Sequence, residues 1–362
     1  MDLAFVESPV QLLNVLEWAH TRTSGLLHGI PAQPKGPGSA GSGGTAHALT
    51  VVVLSPTDPM SRGQLRRMAE LARDEGVTVR WQEARAPGAG APLRTVRELA
   101  PLLRGARRVV VGDPFSRYVQ LLLTLVGTKD LTVVDDGTAT MEYVAQVARG
   151  ERLVRWHRRG RRGARELALA PVSAVARRRL SPSTAREVEV FTAMPVDPPE
   201  GIRVRANAFA WTRTRFGPPR LTRGADLVGT SLVETGVVDP GRYEEAVAAL
   251  AARHGATRYF AHRRESTGKL RRLAARTGLE IVRPDLPLEL IARRGPIGRT
   301  VLSFPSTVVH TLPLALAGTD VAVAACDIPP EWLRETASPR AQGFLAGVTG
   351  TARGVHRIGA PA

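Results

Sequence analysis

The chain has 362 residues, an apolar fraction of 43 % and a formal net charge of +17. That length suggests two domains, and the apolar fraction is enough for packed cores. No apolar run reaches the roughly 18 residues a membrane span needs, which excludes a transmembrane helix, and the lone Cys326 excludes an intramolecular disulfide and a cysteine zinc site.

The acid at Asp2 and the lack of a small-residue cleavage site argue against a signal peptide. The expected location is therefore cytoplasmic, with a peripheral position at the inner membrane face left open. Of the 50 basic residues only Lys35, Lys129 and Lys269 are lysines. Such arginine skew, with abundant Ala, Gly and Pro, reads as compositional bias. It does not by itself point to nucleic acid.

In chain order, Leu3–Val6 reads as a strand, and Ser8-Pro9 opens a helix to about Trp18. Residues 28–47 are rich in Gly, Pro and Ser and read as a loop or insertion. Leu49–Leu54 is a strand, Ser61 caps a helix through Arg73, and Val77–Trp81 is a strand. A helix over Leu93–Leu103, a strand over Arg108–Gly112 and a helix over Phe115–Val126 follow. The continuous β-branched run from Asp130 reads as a strand buried on both faces. It ends in Asp135-Asp136-Gly137, with a helix over Ala139–Ala148 behind it.

Arg149–Arg179 holds eleven arginines. It can attract a polyanion or an anionic membrane surface, although a solvated arginine-rich face is the plainer explanation. Trp156 stands alone there, too few aromatics for base stacking, so no specific nucleic acid is expected. Glu187–Phe191 is a strand. The proline-rich stretch Pro195–Pro219 lacks clear periodicity and reads as an interdomain connection.

A second set begins with a strand over Asp226–Gly229. It continues with a helix (Gly241–Arg253), a strand (Thr257–Ala261), a helix (Thr267–Arg276), a strand (Leu279–Val282) and a short helix (Leu288–Arg293). Arg299–Ser303 is a strand, Thr307–Leu316 a helix, Val321–Ala325 a strand and Pro330–Leu345 a closing helix. The alternation predicts α/β architecture with two Rossmann-like, doubly wound domains facing across a cleft. The boundaries expected are 1–195, a linker over 196–222, and 223–362.

Candidate functional residues cluster at strand ends, where open α/β sheets bind ligands. Asp135 and Asp136 are poised for proton transfer, since adjacent like charges raise one pKa. An ordinary strand-to-turn junction is an equally good account of them. His262 ends a strand beside Arg263 and Arg264, and could hydrogen-bond or protonate a phosphate leaving group. Glu289 begins a short helix, where a carboxylate can accept ribose hydroxyls or simply favour the helix dipole. Ser306-Thr307 lead into a helix, whose N-terminus suits phosphate, with capping as the alternative. Gly229-Thr230 is a similar but short element.

Together these residues resemble the bacterial sialyltransferases of the two-domain GT-B type, including the polysialyltransferase-like group. Asp135-Asp136-Gly137 is similar to that family's acidic-acidic-Gly motif. His262 is similar to its His-Pro motif, with Arg263 in place of the proline, and Ser306-Thr307 to its Ser-Ser or Ser-Thr pair. Glu289 matches the ribose-binding acid, and Ser8-Pro9-Val-Gln11 the first strand-to-helix turn.

The resemblance implies an inverting, metal-independent glycosyltransferase with no cofactor beyond its CMP-sugar donor. Asp135 or Asp136 would be the base, with Asp135 favoured, and His262 would stabilise CMP departure. Gly229, Thr230, Arg263, Glu289, Ser306 and Thr307 would bind the donor. Ser8 and Gln11 would lie on the acceptor side, facing a glycan or glycolipid. The alternatives are a GT-B transferase using CMP-Kdo or a UDP-sugar, or a non-catalytic polyanion-binding protein on a degenerate GT-B fold.

Overall fold

A computed structural model describes residues 1–27, 48–85, 91–125, 127, 130–155, 170–335, 337, 343, 345, 347, 348 and 350–360. The Gly-rich segment over 28–47, residues 156–169 of the central arginine-rich segment with Trp156 among them, Lys129, and residues 336, 338–342 and 344 of the expected closing helix lie outside those residues. The described chain divides into two compact units, Met1–Trp211 and Thr212–Ala362.

The first unit is built on β1 (Asp2–Val6), β2 (Leu49–Leu54), β3 (Thr78–Gln82), β4 (Arg108–Val111), β5 (Asp130–Val134), β6 (Glu187–Thr192) and β7 (Ile202–Ala206). All pair in parallel, in the order β3-β2-β1-β4-β5-β6-β7. The central strands LTVVVL, RVVV and DLTVV are almost wholly buried. That is the expected outcome where helices cover both faces of a parallel sheet. Those helices are α1 (Pro9–Leu27), α2 (Pro59–Asp74), α3 (Ala91–Arg104), α4 (Arg117–Leu125), α5 (Thr138–Ala148) and α6 (Ala170–Leu180). A short helix, α7 (Ala210–Arg215), bridges the boundary between the units.

The second unit contains β8 (Leu221–Val228), β9 (Ala256–Phe260), β10 (Glu280–Val282), β11 (Ile297–Ser303), β12 (Ala322–Cys326) and β13 (Val355–Ile358). Their order, β10-β9-β8-β11-β12-β13, again parallel, repeats the winding of the first sheet. This unit's helices include α8 (Pro240–His254), α9 (Thr267–Thr277), α10 (Leu288–Arg294) and α11 (Val308–Ala315), and residues 343, 345, 347, 348, 350 and 351 are helical as well. Adjacent residues of each strand go to opposite cores: Leu227, Tyr259 and Leu302 pack in one cluster, Val228, Phe260 and Val301 in the other. Period-two alternation with both faces apolar is what produces the two cores.

Three expectations are corrected. α2 is capped by Asp58, whose carboxylate accepts the Ser61 amide at 2.7 Å, with Pro59 as its first residue; an acid ahead of proline is a stronger cap than a serine already inside the turn. The stretch read as a linker contains β7, which hydrogen-bonds to β6 and extends the first sheet. At the other end, Pro330–Trp332 is a single 3₁₀ turn followed by extended backbone at Leu333, and residues 355–358 form the unexpected edge strand β13.

Candidate functional site

Each sheet winds outward in both directions from a central pair, β1/β4 in the first unit and β8/β11 in the second. At such a switch point the loops leaving the strand ends diverge and open a crevice. The candidate residues are found at these C-terminal edges.

In the first unit, β5 runs into Asp135. The turn is made by Gly137 at φ 62° and ψ −123°, a combination that glycine alone adopts without strain. Asp135 is 2 % exposed. Its Oδ1 accepts the Gly137 amide at 2.9 Å and its Oδ2 the Ala193 amide at 3.1 Å. Burial raises its pKa to about 6 against these hydrogen bonds. The expected cause, repulsion from Asp136, does not operate: Asp136 is turned to Arg155, 3.4 Å away. Desolvation replaces like-charge repulsion as the source of the shift.

Residues that the sequence did not single out complete this edge. Glu7, after β1, bonds to Ser116 and to the Arg85 guanidinium. Burial raises its pKa, partly offset by Arg85. Asp113, after β4, caps the Phe115 amide at 2.9 Å and pairs with Arg155 at 2.9 Å. Arg155 thus bridges Asp113 and Asp136 and lies over the Phe115 ring. Desolvation opposes its charge, but the two carboxylates outweigh that and raise its pKa.

Ser8 and Gln11 serve the helix that follows them. Ser8 Oγ accepts the Gln11 amide at 3.2 Å, while Gln11 Oε1 reaches back to the Glu7 amide at 2.7 Å. The serine side chain plays its capping-box part at the start of α1, while the glutamine reaches the amide one residue earlier, that of Glu7.

In the second unit the edge runs from β9 through β8 to β11, carrying His262, Gly229-Thr230 and Ser306-Thr307 in turn. Two inter-strand steps make this about 10 Å. His262 Nδ1 accepts the Arg264 amide at 3.2 Å, which leaves the proton on Nε2, a donor. Burial, then Arg263 and Arg264, lowers its pKa to about 4. A neutral His262 can donate a hydrogen bond to phosphate at neutral pH but does not bring the extra proton of an imidazolium. Arg263 is exposed.

Ser306 and Thr307 stand ahead of α11, and no side chain caps that helix. Its first carbonyl partners are Ser306 to Val309 and Thr307 to His310. Capping by Ser306 is therefore not realised, and Ser306 shares its hydroxyl with Ser303 at 3.4 Å. Glu289, 6 % exposed, accepts the Thr311 hydroxyl at 2.6 Å, and burial raises its pKa. That bond ties α10 to α11. Gly229 is obligatory for another reason: a Cβ there would lie 2.1 Å from Glu265 Oε2 and 2.7 Å from the Tyr259 hydroxyl. Among the described residues no group of three or more His, Cys, Asp or Glu could hold a metal ion. No described helix is long and apolar enough to cross a membrane.

No protein-family model matches the chain, and no curated protein sequence does. Solved structures do match. The α/β-galactoside α-2,3-sialyltransferase of the luminous marine bacterium Photobacterium phosphoreum aligns over 98 % of both chains, at 8 % identity and a TM-score of 0.50. The Escherichia coli heptosyltransferase WaaC aligns over 100 % of this chain and 94 % of its own, at 13 % identity and a TM-score of 0.44. Acinetobacter baumannii MurG aligns over 99 % and 86 %, at 10 % identity and a TM-score of 0.41. Two parallel, doubly wound sheets and the likeness to the sialyltransferase define the GT-B glycosyltransferase fold.

Proposed function

We propose that the protein is a glycosyltransferase that moves a sugar from a nucleotide-activated donor to a glycan or glycolipid acceptor, with CMP-sialic acid as the donor. The observation that carries this reading is Asp135: a buried carboxyl at a strand's C-terminal edge, on a GT-B fold, with its pKa raised to about 6. A base in that range is deprotonated at neutral pH and still basic enough to take a hydroxyl proton in the transition state.

In the proposed reaction the acceptor hydroxyl loses its proton to Asp135. Its oxygen attacks the anomeric carbon, and the bond to the CMP phosphate breaks with inversion. Asp136, held by Arg155, orients the turn. Neutral His262 donates from Nε2 to the departing phosphate, and the uncapped α11 amides with Ser306 and Thr307 offset its charge. Glu289 accepts the ribose hydroxyls. This assignment needs no metal.

The test is CMP release from CMP-N-acetylneuraminic acid, with CMP-Kdo and UDP-sugars as competing donors, for the wild-type protein and Asp135→Asn. CMP-sialic acid turnover that falls by about 10²–10⁴ in the variant supports the reading. Turnover of a UDP-sugar alone would replace the donor. Full activity in Asp135→Asn would remove the base.

A further inference from the structure

Beneath the His262 loop lies a buried polar network that the proposed chemistry does not use. Lys269 is 2 % exposed and Glu265 3 % exposed. Their Nζ and Oε1 are 2.8 Å apart, and Glu234 stands 3.4 Å from the same ammonium. Glu265 Oε1 also accepts the Tyr259 hydroxyl at 2.6 Å, and Glu265 Oε2 accepts the His262 amide at 2.6 Å.

The direction of each bond follows from that carboxylate. Tyr259 spends its proton on Glu265, so in its 2.7 Å contact with Tyr243 it is the acceptor and Tyr243 the donor. One polarised chain therefore runs from the Tyr243 hydroxyl through Tyr259 to Glu265, where the His262 N–H and Lys269 also converge. Bonds in such a chain strengthen one another. Lys269 additionally sits over the Tyr243 ring, 4.2 Å from its centroid.

The geometry points to Glu265 as a positioning residue: with Lys269, whose ammonium also meets Glu234 of the loop after β8, it locks that loop to the loop after β9, so that His262 meets a nucleotide phosphate already arranged. This rests on the nucleotide-sugar reading above. Gly229 belongs to the same device, since any side chain there would collide with Glu265 and Tyr259.

Removing Glu265 alone would leave Lys269 buried beside Glu234 only, and that variant can fail to fold. The test therefore replaces the pair. Glu265→Leu with Lys269→Met keeps the volume and removes both charges. Glu265→Gln with Lys269→Met keeps an oxygen for the His262 amide. Tyr259→Phe breaks one link of the chain with the least disturbance. Amide hydrogen exchange at His262, melting temperature and CMP affinity by calorimetry are measured on each.

The expected result is faster exchange at the His262 amide in the Leu/Met protein, with CMP binding about tenfold weaker. In the Gln/Met protein, His262 protection and part of the affinity return. In Tyr259→Phe, which keeps the Glu265–His262 bond, exchange at His262 rises by less. Unchanged protection in the Leu/Met protein overturns the proposal. So does lost protection with unchanged CMP affinity, which would make the network purely structural. If the wild-type protein binds no CMP, the nucleotide reading falls, and the His262 amide alone decides whether Glu265 locks the loop.

Discussion

Asp135 makes a quantitative prediction because its shift has the opposite sign to the usual carboxylate case. Burial raises its pKa from 3.8 to about 6. Between those values the folded protein keeps the proton and the unfolded chain loses it. Stability therefore falls as pH rises through that window, and the full cost of ionising Asp135 in the fold, about 3 kcal/mol, is present above it. The amide introduced by Asp135→Asn does not titrate. Replacing one acceptor oxygen with an amide group beside the Gly137 or Ala193 N–H adds a cost that is independent of pH. The stability of Asp135→Asn relative to wild type should then rise by about 1.4 kcal/mol between pH 5 and pH 8. Urea denaturation of both proteins across that range measures it, and because both share every other titrating group, the difference isolates Asp135. A difference that stays flat would refute the raised pKa and with it the assignment of Asp135 as a base poised near neutrality.

Gly229→Ala should destabilise the second unit by about 1–3 kcal/mol, the cost of overpacking, because its Cβ would fall 2.1 Å from Glu265 Oε2; an unchanged urea midpoint contradicts this. Asp226 is 0 % exposed, holds Arg258 through both oxygens at 2.9 and 2.6 Å, and accepts the Gly298 amide at 2.6 Å. Asp226→Ala takes the carboxylate from Arg258, which keeps only the Pro296 carbonyl at 3.1 Å, and from the Gly298 amide; it should cost about 3–5 kcal/mol in the same assay, where a loss under about 1 kcal/mol would show the pair to be dispensable. His262, with its pKa lowered to about 4, should stay neutral by NMR from pH 8 to pH 5. Stability that depends on the neutral imidazole is then lost as pH falls below its ordinary 6.5 toward about 4. Added CMP should raise the apparent pKa, and a titration near 6.5 in the free protein would show the ring to be solvated.

The strands LTVVVL, RVVV and DLTVV were legible because a strand buried on both faces carries its environment in its composition. β7 was not. IRVRA alternates apolar and basic residues, but only Ile202 is buried while Val204 is exposed, and the surrounding prolines masked a five-residue signal. The first-unit edge was half visible. Asp135-Asp136-Gly137 could be seen because its residues are adjacent. Glu7, Asp113 and Arg155 come together from separate loops, Glu7 and Ser116 being 109 positions apart and Asp113 and Arg155 42, so no local pattern announces them. In the sequence Lys269 stands out only as one of three lysines. It is buried because Glu265, one helical turn before it, and Glu234, from another loop, both reach its ammonium. The Glu265–Lys269 spacing of four was the available signal, and such pairs usually lie on exposed helix faces. The His262 loop is held by the Glu265 carboxylate, which accepts the His262 amide.

The central claim is a nucleotide site on the second unit, and calorimetric titration with CMP, UDP and GDP, without added metal, tests it most directly. The account predicts selective CMP binding that is lost in Glu289→Ala. Absence of binding to any of the three, with salt-sensitive binding to polyanions in its place, would contradict it and leave a GT-B fold put to another use.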